Sequence, residues 1–192
     1  MAAQDDSPKP ARSPVLSRRV RSWLEWAIVI IGALAISFGI RGYLVQTFSI
    51  PSASMVPTLQ VGDRILVNKQ TSDLSELSRG DIVVFEKPDT LASDLDHLVK
   101  RIIGLPGDTV EGRDGQVWID GEPLAEPWLP DGVVTDAFGP VVVPDGEVFF
   151  MGDNRTQSQD SRVFGTVSAD NIVGRAFFRI WPLDRVGSID GG

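Results

Sequence analysis

The chain has 192 residues, 42% of them hydrophobic, and a formal net charge of −8 at pH 7. That length suits one domain of ordinary size with a buried core. The chain has no cysteine and one histidine, His97, which excludes thiol catalysis, disulfides and zinc sites built from cysteine and histidine. The acidic net charge argues against nucleic-acid binding, because an unspecific grip on phosphates needs clustered lysine and arginine.

The charge is unevenly placed, with a basic head and an acidic body. Residues 1–41 hold six basic and three acidic side chains, so the rest of the chain carries all of the net negative charge. Residues 1–22 are polar, interrupted by three prolines and without apolar periodicity. This composition predicts a disordered tail.

An apolar segment follows the tail. Residues 23–40 contain a single charge, Glu25, near their start. Because a spanning helix needs about 20 mainly apolar residues, we predict a transmembrane anchor over residues 23–41. Basic residues cluster before the segment, so the positive-inside rule places the tail in the cytoplasm and everything after the anchor outside. The alternative is a signal peptide cleaved at the small-x-small pattern of residues 33–35.

From residue 43 onward the pattern predicts β structure. Short apolar runs are separated by glycine, proline and aspartate, as is typical of strands and turns; they are residues 65–67, 82–85, 117–119, 148–151 and 176–178. Asp120-Gly121 predicts a two-residue hairpin, because a type I′ turn needs positive φ at both positions. We therefore predict a mainly β domain over residues 43–185, in which the Gly-, Pro- and Asp-rich stretch of about 111–147 forms an appendage.

Three blocks contain residue types able to do chemistry, and the first holds Ser52 and Ser54. If residues 48–52 are extended, alternation places both hydroxyls on the same face as Phe48 and Ile50. The alternative is a serine-rich linker. Apolar residues around the serines disfavour it, because a flexible tether has no use for them.

The second block, residues 96–108, puts a cation on each face of a predicted strand. Alternation places Lys100 between apolar neighbours on one face, and Arg101 with His97 on the other. One interpretation is that both cations lie across the sheet with their charged ends in water. The other is a lysine that is desolvated enough for its amine to be neutral, so that it can accept a proton.

The third block is a polar loop, residues 152–162, which follows an apolar run and must satisfy its hydrogen bonds largely through side chains. A solvated turn is one alternative. A calcium loop is another, but the block lacks the alternating ligands and the closing glutamate of an EF-hand. No metal site is expected here.

The three blocks read Ser52-Ala53-Ser54-Met55-x-Pro57-Thr58-Leu59, Lys100-Arg101-Ile102-x-Gly104-x-Pro106-Gly107-Asp108, and Gly152-Asp153-Asn154-Arg155 followed by Ser158-x-Asp160-Ser161-Arg162. In this order, behind an apolar segment, they resemble the bacterial type I signal peptidases. The resemblance covers roughly residues 23–182. No single block is decisive, but three in the right order are very specific.

The resemblance implies a mostly antiparallel β catalytic domain that cleaves signal peptides from exported preproteins by acyl transfer, without a cofactor. Ser54 would be the nucleophile and Lys100 the general base. The Ser54 backbone N–H and the Ser52 hydroxyl would form the oxyanion hole, and Ser158 would orient the Lys100 amine. Two ion pairs would brace the site: Arg101 with Asp153, and Asp160 with Arg162.

The implied partners are the lipid bilayer and membrane-tethered preproteins with small residues at the first and third positions before the cut. A single-pass monomer of the cell membrane is expected, with its catalytic domain outside. Two other classes stay open. One is a Ser-His-Asp hydrolase with His97 as its base, and the other is a membrane-anchored β domain that binds extracellular ligands without catalysis.

Overall fold

The computed structural model describes residues 22, 23, 25–33 and 44–189. The chain divides into two compact units, residues 1–41 and 42–192.

The described residues of the first unit are helical. No helix within the described part of the chain is long and apolar enough to cross a membrane. The predicted tail, apart from residue 22, lies outside the described residues. So do residues 24 and 34–41 of the predicted anchor.

The second unit is made of β-strands with short helical turns between some of them. The strands are β1 Val45–Ser49, β2 Arg64–Asn68, β3 Ile82–Glu86, β4 His97–Gly104, β5 Thr109–Arg113, β6 Gln116–Ile119, β7 Glu122–Pro123, β8 Phe138–Val142, β9 Glu147–Met151, β10 Val167–Ser168, β11 Ile172–Trp181 and β12 Gly187–Ser188. One short α-helix, α1, covers Ser161–Phe164, and 3-10 turns cover Leu74–Glu76, Ala169–Asn171 and Leu183–Arg185.

The strands form two antiparallel sheets. The larger sheet has the order β1-β2-β11-β3-β4-β9-β10, with β12 paired to β11. The smaller sheet has the order β7-β6-β5-β8 and spans residues 109–142. All strand pairs of the described residues are antiparallel. The mainly β, antiparallel fold expected from the sequence is therefore observed.

Each of the five apolar runs lies within a strand, which confirms those predictions. Strand β3 shows why such a run need not alternate with polar residues. Its Val83 and Phe85 belong to one buried cluster, whereas Ile82 and Val84 belong to another. Both faces of the strand are covered, and burying each such side chain contributes about 1.5–3 kcal/mol.

Two tight turns shape the smaller sheet. Asp120 and Gly121 have φ of 53° and 84°, which confirms the predicted hairpin. Asp114 and Gly115, between β5 and β6, have φ of 54° and 80° and form a second hairpin that we did not predict. The same Asp-Gly chemistry marks both turns in the sequence.

Candidate active site

Ser54 lies in a coil of turns that follows β1. The placement of both hydroxyls on one face depended on an extended run over residues 48–52. The strand ends at Ser49, and the chain turns over residues 52–59. The Leu59 N–H donates to the Met55 carbonyl at 2.9 Å, and both side chains are buried. Burial of these two apolar side chains, four residues apart, stabilises the turn after Pro51.

Lys100 lies in β4, at the point where the strand loses one of its neighbours. Its partner on β3 is Val83. Strand β9 pairs with β4 only from Arg101 onward, so the half His97–Lys100 has no strand on that side among the described residues. The Lys100 side chain therefore lies beside an open strand edge.

The two side chains meet in a buried site. Lys100 Nζ and Ser54 Oγ are 2.5 Å apart, within hydrogen-bonding distance, although 46 positions separate them in the sequence. Lys100 is 3% exposed and Ser54 8%. The Ser52 hydroxyl donates to Ser54 Oγ at 3.3 Å, so the structure brings together all three predicted groups.

Burial lowers the pKa of Lys100 from 10.5 to about 8. Asp160 and Asp153 act in the opposite direction, because their negative charges favour the ammonium, while the positive charge of Arg162 adds to the lowering. Desolvation is the dominant cause. The amine is consequently neutral much more often than an ordinary lysine side chain.

Arg101 and Asp153 form a fully buried, bidentate ion pair. Arg101 Nε and Nη2 donate to the two carboxylate oxygens at 2.8 and 2.7 Å. The Thr58 hydroxyl donates to the same carboxylate at 2.6 Å, and Arg101 Nη1 donates to the Gly80 carbonyl at 2.6 Å. These added hydrogen bonds compensate for the desolvation of the two charges.

Asp160 and Arg162 form the second ion pair, at the start of α1. Arg162 Nε and Nη2 donate to the Asp160 carboxylate at 2.8 and 2.9 Å. The Gly152 backbone N–H also donates to it at 3.0 Å, which ties the two ends of the polar loop together. Both carboxylates that raise the Lys100 pKa are thus held by arginines.

Ser158 lies next to Gly152, inside the site. A Cβ added at Gly152 would stand 2.3 Å from Ser158 Oγ and 2.4 Å from the Ser54 carbonyl oxygen, so the three residues are in close contact. Ser158 Oγ is buried, and within the described residues it has no hydrogen-bond partner. The predicted hydrogen bond between Ser158 and Lys100 is therefore not formed in this structure, and its orienting role stays a prediction.

Asn154 is a residue of the site that sequence reasoning missed. Its backbone N–H donates to the Ser54 carbonyl at 3.0 Å, and its Nδ2 donates to the Ala53 carbonyl at 3.1 Å. Asn154 thereby fixes the backbone around the serine. Its place in the Gly152-Asp153-Asn154-Arg155 block was the available signal, but nothing in that block indicates which backbone it would bind.

His97 faces a different set of neighbours. Its ring packs edge-on against Phe48, with the ring centroids 5.4 Å apart. In the described part of the chain, no hydrogen bond joins His97 to Ser54. The arrangement needed for a Ser-His-Asp triad is therefore not formed.

A cavity of about 200 Å³ opens beside the two central side chains. It lies between the segment that precedes Ser54 and the first half of β4. Apolar side chains contribute much of its lining, including Phe48, Ile50, Met55 and Leu98. The Ser52, Ser54 and Lys100 side chains also border it.

Comparison with known proteins gives consistent similarities. Residues 23–181 match the family model described as signal peptidase, peptidase S26. A probable signal peptidase I-2 of Synechocystis sp. is 41% identical over 168 residues, covering 86% of this chain and 77% of the relative. Signal peptidase I of Leptolyngbya laminosa is 38% identical, covering 98% and 97%. Signal peptidase I T of Bacillus subtilis (strain 168) is 38% identical, covering 88% and 91%.

Proposed function

Because the chain belongs to the signal peptidases of peptidase family S26, we propose that this hydrolase cleaves signal peptides from preproteins with Ser54 as nucleophile and Lys100 as general base. The observation that carries this proposal is the 2.5 Å separation of Lys100 Nζ and Ser54 Oγ in a buried site. A serine hydroxyl is a weak nucleophile and needs a base within reach.

The reaction proceeds by acyl transfer. Neutral Lys100 takes the proton of Ser54 Oγ as that oxygen bonds to the scissile carbonyl carbon. The resulting ammonium then protonates the leaving amine, the C–N bond breaks and an ester to Ser54 remains. Lys100 next deprotonates a water, which attacks the ester. As the ester C–O bond breaks, the Lys100 ammonium returns the proton to Ser54 Oγ, and the signal peptide leaves with a carboxylic acid end that ionises in water.

The lowered pKa of Lys100 supports this role. An ordinary lysine, with a pKa of about 10.4, is neutral in about one molecule in a thousand near pH 7.4. With the pKa of about 8 in this site, roughly one molecule in five has a neutral amine. The burial that lowers the pKa therefore supplies a usable base.

The oxyanion of the tetrahedral intermediate needs fixed hydrogen-bond donors. We assign this function to the Ser54 backbone N–H and the Ser52 hydroxyl, which lies 3.3 Å from Ser54 Oγ. Donors of this kind each contribute about 2.7–4 kcal/mol to transition-state stabilisation. Ser158, in contact with Gly152 beside Ser54, would turn its unpartnered hydroxyl to the Lys100 amine during the reaction.

The preprotein binds as an added strand. Its extended chain pairs with the unpaired half His97–Lys100 of β4 on one side and with the segment before Ser54 on the other. The adjacent cavity, of about 200 Å³ and bordered by apolar side chains such as Phe48, Ile50 and Leu98, suits small side chains at the first and third positions before the cut.

The apolar segment of residues 23–41 anchors the enzyme in the cell membrane. The basic residues ahead of it support a cytoplasmic N-terminus and an extracytoplasmic catalytic domain over residues 43–185, with the appendage at about 111–147. The serine follows the anchor closely in the sequence. It therefore meets preproteins that are still held in the bilayer by their own apolar segments, and the enzyme acts as a monomer without a cofactor.

Three alanine variants of the full-length protein, assayed in detergent on a preprotein substrate, test the assignment. Ser54→Ala and Lys100→Ala remove the nucleophile and the base, so both should abolish turnover. His97→Ala should keep most of the activity, because its ring packs against Phe48 and, among the described residues, makes no hydrogen bond to Ser54. A folded His97→Ala variant as inactive as Lys100→Ala would reject the Ser54–Lys100 dyad in favour of a Ser-His-Asp triad. Retained turnover in Lys100→Ala would reject Lys100 as the base.

A further inference from the structure

A segment of the appendage reaches the polar loop. This bridging segment, residues 126–135, lies between β7 and β8 of the smaller sheet. Glu126 accepts hydrogen bonds from both terminal nitrogens of Arg155, one of them at 3.0 Å. The Thr135 hydroxyl accepts a third from Arg155 Nη1 at 2.6 Å. The bridging segment therefore supplies most of the partners of this guanidinium.

Arg155 in turn organises the polar loop from within. Its side chain is 1% exposed, so the guanidinium depends on protein partners in place of water. Arg155 Nε donates to the Gly152 carbonyl at 3.2 Å. The Arg155 carbonyl accepts from Arg162 Nη2 at 2.7 Å. Fixing Arg155 thus fixes both Gly152 and Arg162.

These two residues lead directly to the reacting groups. Gly152 and Arg162 both donate to Asp160, and Gly152 lies against the Ser54 backbone. The bridging segment also reaches the other ion pair, since the Arg101 guanidinium lies over the Trp128 ring, 4.8 Å from its centroid. Two arginines of the site are therefore in contact with the appendage.

We propose that Glu126 is a positioning residue for signal-peptide cleavage, which acts through Arg155 to hold the polar loop, and with it Arg162 and Asp160, in place beside Lys100. The inference rests on the proposed Ser54–Lys100 mechanism and deepens it. A buried ion pair is weak evidence of a purely stabilising function, because its desolvation offsets much of its attraction. Here the Glu126–Arg155 pair helps to fix two backbone carbonyls of the polar loop. The Gly152 carbonyl accepts from Arg155, and the Arg155 carbonyl accepts from Arg162.

The charges around Lys100 indicate how loss of Glu126 would act. Asp160 and Asp153 raise the Lys100 pKa, whereas burial and Arg162 lower it. Asp136 faces Arg162, and Asp96 and His97 line the cavity on the strand side. A loosened polar loop would admit water and so reduce the desolvation, which is the largest cause of the lowered Lys100 pKa. Asp160 and Arg162 would move together, and their effects on the pKa oppose each other. The loss of desolvation decides the direction, so the pH at which activity appears would rise.

The test compares three variants of the full-length protein in detergent. Glu126→Gln removes the carboxylate while keeping its shape, and Thr135→Val removes one hydrogen bond to Arg155. Glu122→Gln is the matched control, because Glu122 is an exposed glutamate of the same sheet. For each, kcat/KM on a peptide with a signal-peptide cleavage site is measured from about pH 6 to about pH 10, a range that spans the lowered and the ordinary lysine values. Thermal unfolding is recorded alongside.

On the acid limb of the profile, kcat/KM falls as the pH is lowered, and its midpoint is the pH at which kcat/KM is half of its plateau value. Glu126→Gln should raise this midpoint by about half a pH unit, which lowers kcat/KM at pH 7 about threefold. Thr135→Val should shift the midpoint in the same direction by less, and Glu122→Gln should leave it unchanged. A Glu126→Gln profile reduced by one factor at every pH, with the wild-type midpoint, would make Glu126 purely structural and overturn the inference.

The outcomes also separate this inference from the mechanism beneath it. If Glu126→Gln does not fold, Thr135→Val decides by the same criterion. A wild-type profile without an acid limb would overturn the Ser54–Lys100 mechanism, and the inference with it. If the wild-type profile has an acid limb and neither variant shifts its midpoint, the inference about Glu126 is overturned while the Ser54–Lys100 mechanism stands.

Discussion

At the scale of single residues, Gly152 is a position where the polar loop packs closely against Ser54. A Cβ at this position would stand 2.4 Å from the Ser54 carbonyl oxygen and 2.3 Å from Ser158 Oγ, closer than real contacts allow. The Gly152 N–H and carbonyl are also committed, to Asp160 and Arg155. A side chain here would have to displace either the nucleophile or the loop.

Gly152→Ala should therefore lower kcat/KM about a hundredfold, the effect expected when a reacting group is misplaced by about 1 Å. Overpacking should also destabilise the fold by about 1–3 kcal/mol, measured by thermal unfolding. Gly139→Ala on β8 is the control, because a Cβ there meets nothing within 4 Å. If the two variants retain the same activity, the close approach of Gly152 to Ser54 is not needed for catalysis.

At the scale of elements, the strands that contain apolar runs were predictable, and the turn that holds Ser54 was not. Apolar runs bounded by Gly, Pro and Asp indicate strands, because a strand buried on both faces needs consecutive apolar residues. The coil after β1 depends instead on where Met55 and Leu59 find a core, which only the fold decides. Ser52 and Ser54 were identified correctly as neighbours, but for a conformation that the chain does not adopt there.

The site itself was predictable only as far as motifs reach. Lys100 and Ser54 are 46 positions apart, and it was the resemblance, not their spacing, that paired them. Asn154 was not predicted because its hydrogen bonds go to the backbone carbonyls of Ala53 and Ser54. The residue type at a position does not reveal what its backbone carbonyl binds. The Glu126–Arg155 contact escaped for a related reason, since it joins two loops that only the arrangement of the sheets brings together.

At the scale of the whole molecule, the buried Ser54–Lys100 pair and the proposed membrane anchor belong to one chain. The basic head, the apolar segment and the acidic body appear in the sequence in the order that a single-pass protein requires. The described residues contain no helix long and apolar enough to cross a membrane. Topology in cells is therefore the measurement that bears on the anchor.

A tag placed after Gly192 should be accessible to a reagent outside intact cells, and a tag placed before Arg18 should not. The physical reason is the cluster of basic residues ahead of the apolar segment, which favours retention of that end in the cytoplasm. Disrupted cells, in which both tags should react, provide the control. Secretion of a soluble form lacking residues 1–35 as the main product would reject the anchor in favour of a cleaved signal peptide.

Titration of the Lys100 amine shows whether it can be a neutral base beside Ser54. Lysine side chains labelled with carbon-13 at Cε are followed by NMR as the pH is raised, and Lys100→Ala identifies the signal by its loss. Because burial favours the neutral amine, the Lys100 signal should change near its pKa of about 8, well below the value of about 10.4 for a lysine in a model peptide. Activity should be lost as the pH falls through the same value. A Lys100 signal that changes only near the model-peptide value of about 10.4 would contradict the assignment of Lys100 as a neutral base.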